Sequence, residues 1–464
     1  MTTHANATRG TTHAHTDAAS TTTAATATAG TADTATTATA TRTARGRGPW
    51  LRRGAAAVVL AAVLGGVAAP VALAAPTAST APTASTASTA STASARSERG
   101  ALISVTPLES LDRDRVAATL SAEGMDTSAV RHGVSAYRLT YATVDPQGRP
   151  TTATGLLVLP RGGPHRLDLV SDTHGTVATR DDAPSGGAGY NRLSPYVHAA
   201  AGRAVAAPDY LGLGGGPGPH PYMDTGSAVT ASVDMLKASR TAADRLGRPL
   251  TRDVYATGFS QGGQVAMAVG RELSRGRDGF RLRALAPMAG PYDLSGSELP
   301  GIADGSVAPR SAVFYLAYFL TAQNRLHPLY RDPAEAFRAP YAQAVEGLFD
   351  GSHTFEEIIN GLPEDVDRLL TPRWSENVRH PQGAFLDVLK ANDGACDWKP
   401  AVPVRLYAGA GDTDVPIANA RACAADLARH GVRANLVDQG PDADHTTTAL
   451  RSAPQAARWF DSVR

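Results

Sequence analysis

The chain has 464 residues, with 44 Lys and Arg against 43 Asp and Glu, a formal net charge of +1 at neutral pH. That balance gives no electrostatic basis for nucleic acid or an acidic surface as a partner. With 42% hydrophobic residues the chain can build a sizeable core, but its N-terminal part cannot contribute to one.

Residues 1–44 are almost wholly Thr and Ala with a few His, and residues 76–99 are rich in repeated Ala-Ser-Thr and Pro-Thr units. Such segments bury too little apolar surface to offset the entropy of ordering them, so both are expected to be disordered. Between them, residues 45–75 read as a targeting segment. Arg45, Arg47, Arg52 and Arg53 precede an apolar run that ends in Ala72-Leu73-Ala74, the small-residue spacing of a signal-peptidase site. A cleaved export signal is the preferred reading, and a single membrane anchor is the alternative. Either places the remainder, one domain over 100–464, outside the cytoplasm.

Within that domain, Tyr137, Leu139 and Tyr141 alternate toward a turn at Asp145-Pro146-Gln147-Gly148, which predicts a hairpin over 134–160. Short apolar strands then alternate with helices. Strands are expected over 167–170, 204–207, 254–257, 283–287, 404–407 and 434–437. Helices are expected over 227–246, 262–273, from about 416, and over 454–463. This alternation predicts an α/β fold, a mostly parallel sheet with helices on both faces. Residues 294–400 break the rhythm and read as an inserted helical cap, with helices over 311–323, 333–346 and 356–360, the last stopped by Gly361.

Gly258-Phe259-Ser260-Gln261-Gly262 follows a predicted strand and opens a predicted helix, the context in which a G-x-S-x-G turn projects a nucleophilic serine. A serine needs a base to take its proton. His445 lies after the last predicted strand and before the closing helix, where the chain order Ser, acid, His requires the base. The acid should follow the penultimate strand, where Asp412 and Asp414 compete; the tight glycine turn Gly409-Ala410-Gly411 favours Asp412. Asp414 is then expected to be solvated or to cap the next helix. One oxyanion donor should be the Gln261 N–H, and a second should come from Gly175 or Thr176 in Asp172-Thr173-His174-Gly175-Thr176. His174 is expected to be structural.

Asp209-Tyr210-Leu211-Gly212-Leu213-Gly214 is glycine-rich, but no helix follows directly and Pro217 and Pro219 intervene. It is therefore read as a rigid loop near the pocket rim rather than a dinucleotide site. The chain's two cysteines, Cys396 and Cys423, bracket Asp412 and are expected to pair in an exported protein. Phe314, Tyr315, Tyr318 and Phe319 suggest an apolar acyl or aryl pocket, or simply cap core. A peptidase on the same fold would need an anchor for a peptide terminus, for which Glu356-Glu357 is the candidate. A non-catalytic binding module would be expected to lack a member of the triad.

These motifs, together with His220-Pro221-Tyr222, Ala183-Pro184-Ser185 and Gly290-Pro291-Tyr292-Asp293-Leu294, resemble those of secreted bacterial α/β-hydrolases related to the fungal secretory lipases. The resemblance runs from about Ser104 to the C-terminus and departs from the pattern at Gly215–Pro219. It implies the α/β-hydrolase fold, a lipase or esterase without cofactor, and a triad of Ser260, Asp412 and His445. No Cys/His spacing resembles a zinc site. The expected partners are a small-molecule ester or lipid substrate and transient contact with a membrane or lipid surface.

Overall fold

The computed structural model describes residues 98–187 and 189–463; the tail 1–44, the targeting segment 45–75 and most of the linker lie outside the described residues. The chain enters through strand β1 (Leu102–Leu111) and helix α1 (Arg113–Ala122), then the hairpin β2 (Gly133–Val144) and β3 (Pro150–Arg161). Asp145 builds the hairpin turn. Its carboxylate accepts from the N–H groups of Gln147 and Arg149, and Gly148 takes the left-handed φ of 76° that the turn demands. Next come β4 (Leu167–Thr173), α2 (Leu193–Ala200), β5 (Ala204–Pro208), α3 (Thr225–Arg245), β6 (Leu250–Phe259), α4 (Gln261–Ser274) and β7 (Arg281–Met288).

Between β7 and β8 (Arg405–Ala408) the chain is helical throughout its regular parts. A π-helical turn (Leu294–Glu298) leads into α5 (Leu299–Asp304), α6 (Pro309–Asn324), α7 (Pro333–Ala336), α8 (Val345–Leu348), α9 (Phe355–Asn360), α10 (Val366–Leu369), α11 (Pro372–Arg379) and α12 (Gly383–Asp393). The chain closes with α13 (Ala418–Arg429), β9 (Asn435–Asp438) and α14 (His445–Ser462).

Among the described residues the strands form one sheet in the order β1-β2-β3-β5-β4-β6-β7-β8-β9. The first three strands, and β3 with β5, pair antiparallel; every pair from β5 onward is parallel. Apolar side chains fill both faces, as a doubly covered sheet requires. Val233 and Leu236 of α3, Val265 and Met267 of α4 and Leu427 of α13 pack on one face. Val116 of α1, Tyr196 of α2 and Phe460 of α14 pack on the other. The helices between β7 and β8 carry a separate core rich in aromatic rings, among them Phe314, Tyr318, Phe349, Trp374 and Phe385. Cys396 and Cys423 are bonded to each other, joining the end of this segment to α13.

Three expectations are corrected. The helix expected over 333–346 is broken into α7, the 3-10 turn Tyr341–Gln343 and α8. Pro340 disfavours helical backbone at the residue before it, and Phe337 instead bridges to Leu370. The last helix does not begin near Pro454 but at His445, with the Asp444 side chain accepting from Thr447 N–H at 2.7 Å. Pro454 is carried inside because Ala449, Ala453, Ala456 and Phe460 keep one face buried across it. Finally β1, α1 and α2 were not expected as elements at all.

Candidate active site

The end of β6 meets α4 at Ser260, whose φ of 56° and ψ of −126° lie where a side chain is strained. Two glycines make this turn sterically feasible. A Cβ on Gly262 would stand 1.9 Å from the Thr173 carbonyl oxygen, and one on Gly258 2.2 Å from Thr173 Oγ1. Thr173 in turn donates from Oγ1 to the carbonyl oxygens of Thr257 and Gly262, while Ser260 N–H donates to the Met288 carbonyl at 2.9 Å. Packing thus fixes the turn on three sides.

The candidate acid and base lie after β8 and β9. Asp412, buried after β8, accepts at Oδ1 from the N–H groups of Asp414 and Val415, both at 2.9 Å. Its Oδ2 takes the Nδ1–H of His445 at 2.7 Å. His445 is the first residue of α14, at the positive end of that helix. Of the two competing aspartates, Asp412 is the one in contact with His445. Asp414 does not cap the next helix. It is half-buried and accepts from Ser311 Oγ of α6 at 2.5 Å.

Among the described residues no hydrogen bond joins Ser260 Oγ to His445 Nε2. The His445 ring packs instead on that of Phe259, the residue before Ser260, with centroids 4.5 Å apart.

Gln261 opens α4, so its N–H has no intrahelical partner. The N–H groups of Gly175 and Thr176 are likewise free of acceptors among the described residues. Gly175 abuts Ser260: a Cβ there would be 3.2 Å from that of Ser260. Thr176 lines the same pocket as Ser260, with its hydroxyl 3.0 Å from that of Tyr222. His174 is buried, which pulls its imidazole below the usual range, and its Nδ1–H donates to the Gly175 carbonyl at 2.7 Å. It shapes the loop.

Asp209 is a buried residue that sequence reasoning took for part of a rim loop. It lies beneath the oxyanion loop, accepting from Ser185 N–H at 2.8 Å and Thr154 Oγ1 at 2.6 Å, and from Ser185 Oγ. Gly214 must lack a side chain, since a Cβ there would fall 2.2 Å from Asp209 Oδ2. The available signal was an acid set at a strand end and followed by glycines. Glu356 is exposed, and Glu357 is committed to a capping box with Thr354, so this pair anchors nothing.

A pocket of about 620 Å³, counted to its open mouth, holds Ser260 and Thr176 on one side. Tyr222, Tyr315, Leu316, Phe319 and Phe385 are among the residues of its largely apolar wall. Phe314 and Tyr318 are instead cap core, Tyr318 stacking between Tyr222 and Phe349. Glu298 was not foreseen. It lines the pocket, and burial pushes its carboxyl up to about 8, with Asp412, Asp414 and Asp293 adding to the rise and the Asn419 hydrogen bond opposing it. Behind the oxyanion loop, burial likewise pushes Asp172 up to about 7, against a hydrogen bond from Ser194 Oγ at 2.7 Å.

No family model matches the chain, and no curated protein matches it. Solved structures do. One, described as a hydrolase from Legionella pneumophila, is 27% identical with a TM-score of 0.71, the match covering 78% of this chain and 97% of that one. The rice cell wall degrading esterase LipA from Xanthomonas oryzae, in a ligand-bound form, is 29% identical with a TM-score of 0.67, over 79% of this chain and 98% of that one. Candida antarctica lipase A in its closed state shares the fold at 14% identity and a TM-score of 0.55, over 75% of this chain and 78% of that one.

Proposed function

We infer that this chain, which has the α/β-hydrolase fold of the lipase and esterase type, cleaves carboxylic esters with Ser260 as nucleophile, His445 as base and Asp412 behind it. One observation carries the reading: a serine held in a strained turn at the head of a helix, on the same sheet as a buried 2.7 Å Asp412–His445 pair.

His445 Nε2 takes the Ser260 proton as Oγ attacks the ester carbonyl carbon. The tetrahedral oxygen accepts hydrogen bonds from Gln261 N–H and from Gly175 or Thr176 N–H. Collapse expels the alcohol, which leaves with the proton held by His445, and water then enters by the same route to release the acid. Asp412 fixes the tautomer and stabilises the imidazolium that forms. The Ser260–His445 hydrogen bond forms on substrate binding, when such bonds tighten.

Ser260→Ala should abolish turnover of short p-nitrophenyl esters, by on the order of 10³-fold or more, with an unchanged circular dichroism spectrum. Unchanged turnover would refute the nucleophile. We also propose export, supported by the Arg-flanked apolar segment and by a paired cysteine bridge, which persists in oxidising compartments. Fractionation of expressing cells should find the protein outside the cytoplasm. Recovery in the cytosol would refute export.

A further inference from the structure

The pocket beside Ser260 is apolar except at one end, where two acids stand without a cation. Glu298, only 9% exposed, accepts at Oε1 from Asn419 Nδ2 at 2.6 Å. Its second oxygen, Oε2, has no hydrogen-bond partner among the described residues, although Glu298 lines the pocket. Asp414 lines the pocket too, with one oxygen taken by Ser311. No Lys, Arg or His appears among the described residues lining this pocket.

Burying two carboxyl groups against aromatic rings with no counter-charge is unfavourable unless something else compensates. Glu298 compensates by holding its proton: burial first, then Asp412, Asp414 and Asp293, lift its carboxyl to about 8. The same field presses on the Tyr315 hydroxyl, which burial and then Asp414 drive upward. The Asp414 carboxylate, the unpartnered carboxyl oxygen of Glu298 and the ring of Tyr315, whose hydroxyl feels both acids, describe a binding place for an organic cation. Carboxylates supply charge there, and aromatic faces supply cation–π attraction.

We propose that this end of the pocket selects esters whose acyl part carries an ammonium group, with Glu298 and Asp414 as the residues that recognise it. The inference rests on the esterase reading of Ser260. It also moves the anchor for an amino group from Glu356-Glu357, which is on the surface, to the pocket itself. The hydrogen bond from Asn419 leaves Oε2 free for the ligand, and a bound cation favours the ionised form of Glu298, whose proton passes to bulk water.

The test uses the full chain and two p-nitrophenyl esters of equal shape, 4-(trimethylammonio)butanoate and 5,5-dimethylhexanoate, which differ in a charged nitrogen against a neutral carbon. The expected kcat/KM ratio favours the cation by roughly tenfold or more. That ratio should fall several-fold in Glu298→Gln and in Asp414→Asn. A measurement on the unaltered protein guards against a variant that fails to fold: choline should inhibit turnover of p-nitrophenyl butyrate at lower concentration than its neutral isostere 3,3-dimethylbutan-1-ol. A ratio of one or less, a ratio that both folded variants leave intact, or equal inhibition by the two alcohols overturns the inference. If neither ester is cleaved yet a fluorophosphonate labels Ser260, the inference fails alone. If Ser260 is not labelled either, the esterase reading fails with it.

Discussion

The sheet and the segment between β7 and β8 place their residues by different means. In the sheet, the proposed reactive groups are set by backbone: Ser260 by a positive φ between two obligatory glycines, Asp412 by two backbone N–H groups, His445 by the first turn of α14. In the helical segment, side chains hold one another. Tyr318 stacks on Tyr222 with ring centroids 4.2 Å apart and on Phe349 at 4.5 Å. The two regions are tied at the acid loop, where Ala308 N–H donates to the Thr413 carbonyl at 2.8 Å and Ser311 reaches Asp414. The lesson is a division of labour. Changes in the first region should stop the chemistry, and changes in the second should alter what is accepted.

The sharpest break of that contrast compares two aspartates two residues apart. Asp412→Asn should lower kcat for a neutral ester by on the order of 10³- to 10⁴-fold, because the His445 tautomer is lost. Asp414→Asn should cost less than about tenfold in the same assay, since it contacts the cap and not the imidazole. Comparable losses would erase the distinction.

Next in size is the glycine frame. Gly262→Ala should destabilise the fold by about 4 kcal/mol or prevent its recovery, because backbone and not a flexible side chain stands in the way. Urea unfolding measures it; a midpoint within error of the parent would show that the turn is not fixed as described.

The smallest effect concerns Glu298 and is read in pH. Its ordinary value is 4.5 and the native value about 8. Over that window the unfolded chain ionises Glu298 while the native protein keeps it protonated, so native stability falls as pH rises and the loss is complete above about 8. Glu298→Gln removes this contribution. The stability of the parent relative to the variant should therefore decline from pH 5 to 8, by at most about 1.4 kcal/mol per pH unit. Parallel curves would place the carboxyl in water.

The sheet was legible because its order is local. Apolar runs of four or five residues bounded by turn residues gave β4 to β9, and Gly258 and Gly262 gave the serine turn. The choice of Asp412 was also readable, since the glycine turn precedes it directly. Strand β1 was hidden because it lies at the sheet edge and mixes Ser, Thr and Glu into its apolar positions. The short helices of the cap escaped because Pro340 breaks the pattern that would have joined α7 to α8. Glu298 could not be found from its neighbours: its burial depends on Asn419, 121 positions away. Sequence periodicity carries no trace of such a pairing.

The central claim is that Ser260 is made nucleophilic by a base at 445. Reaction of the full chain with a fluorophosphonate, followed by peptide mass spectrometry, tests it most directly. The account predicts a single label on Ser260 and a labelling rate reduced by on the order of 10²-fold or more in folded His445→Ala. Label on another residue, or an undiminished rate in that variant, would contradict it.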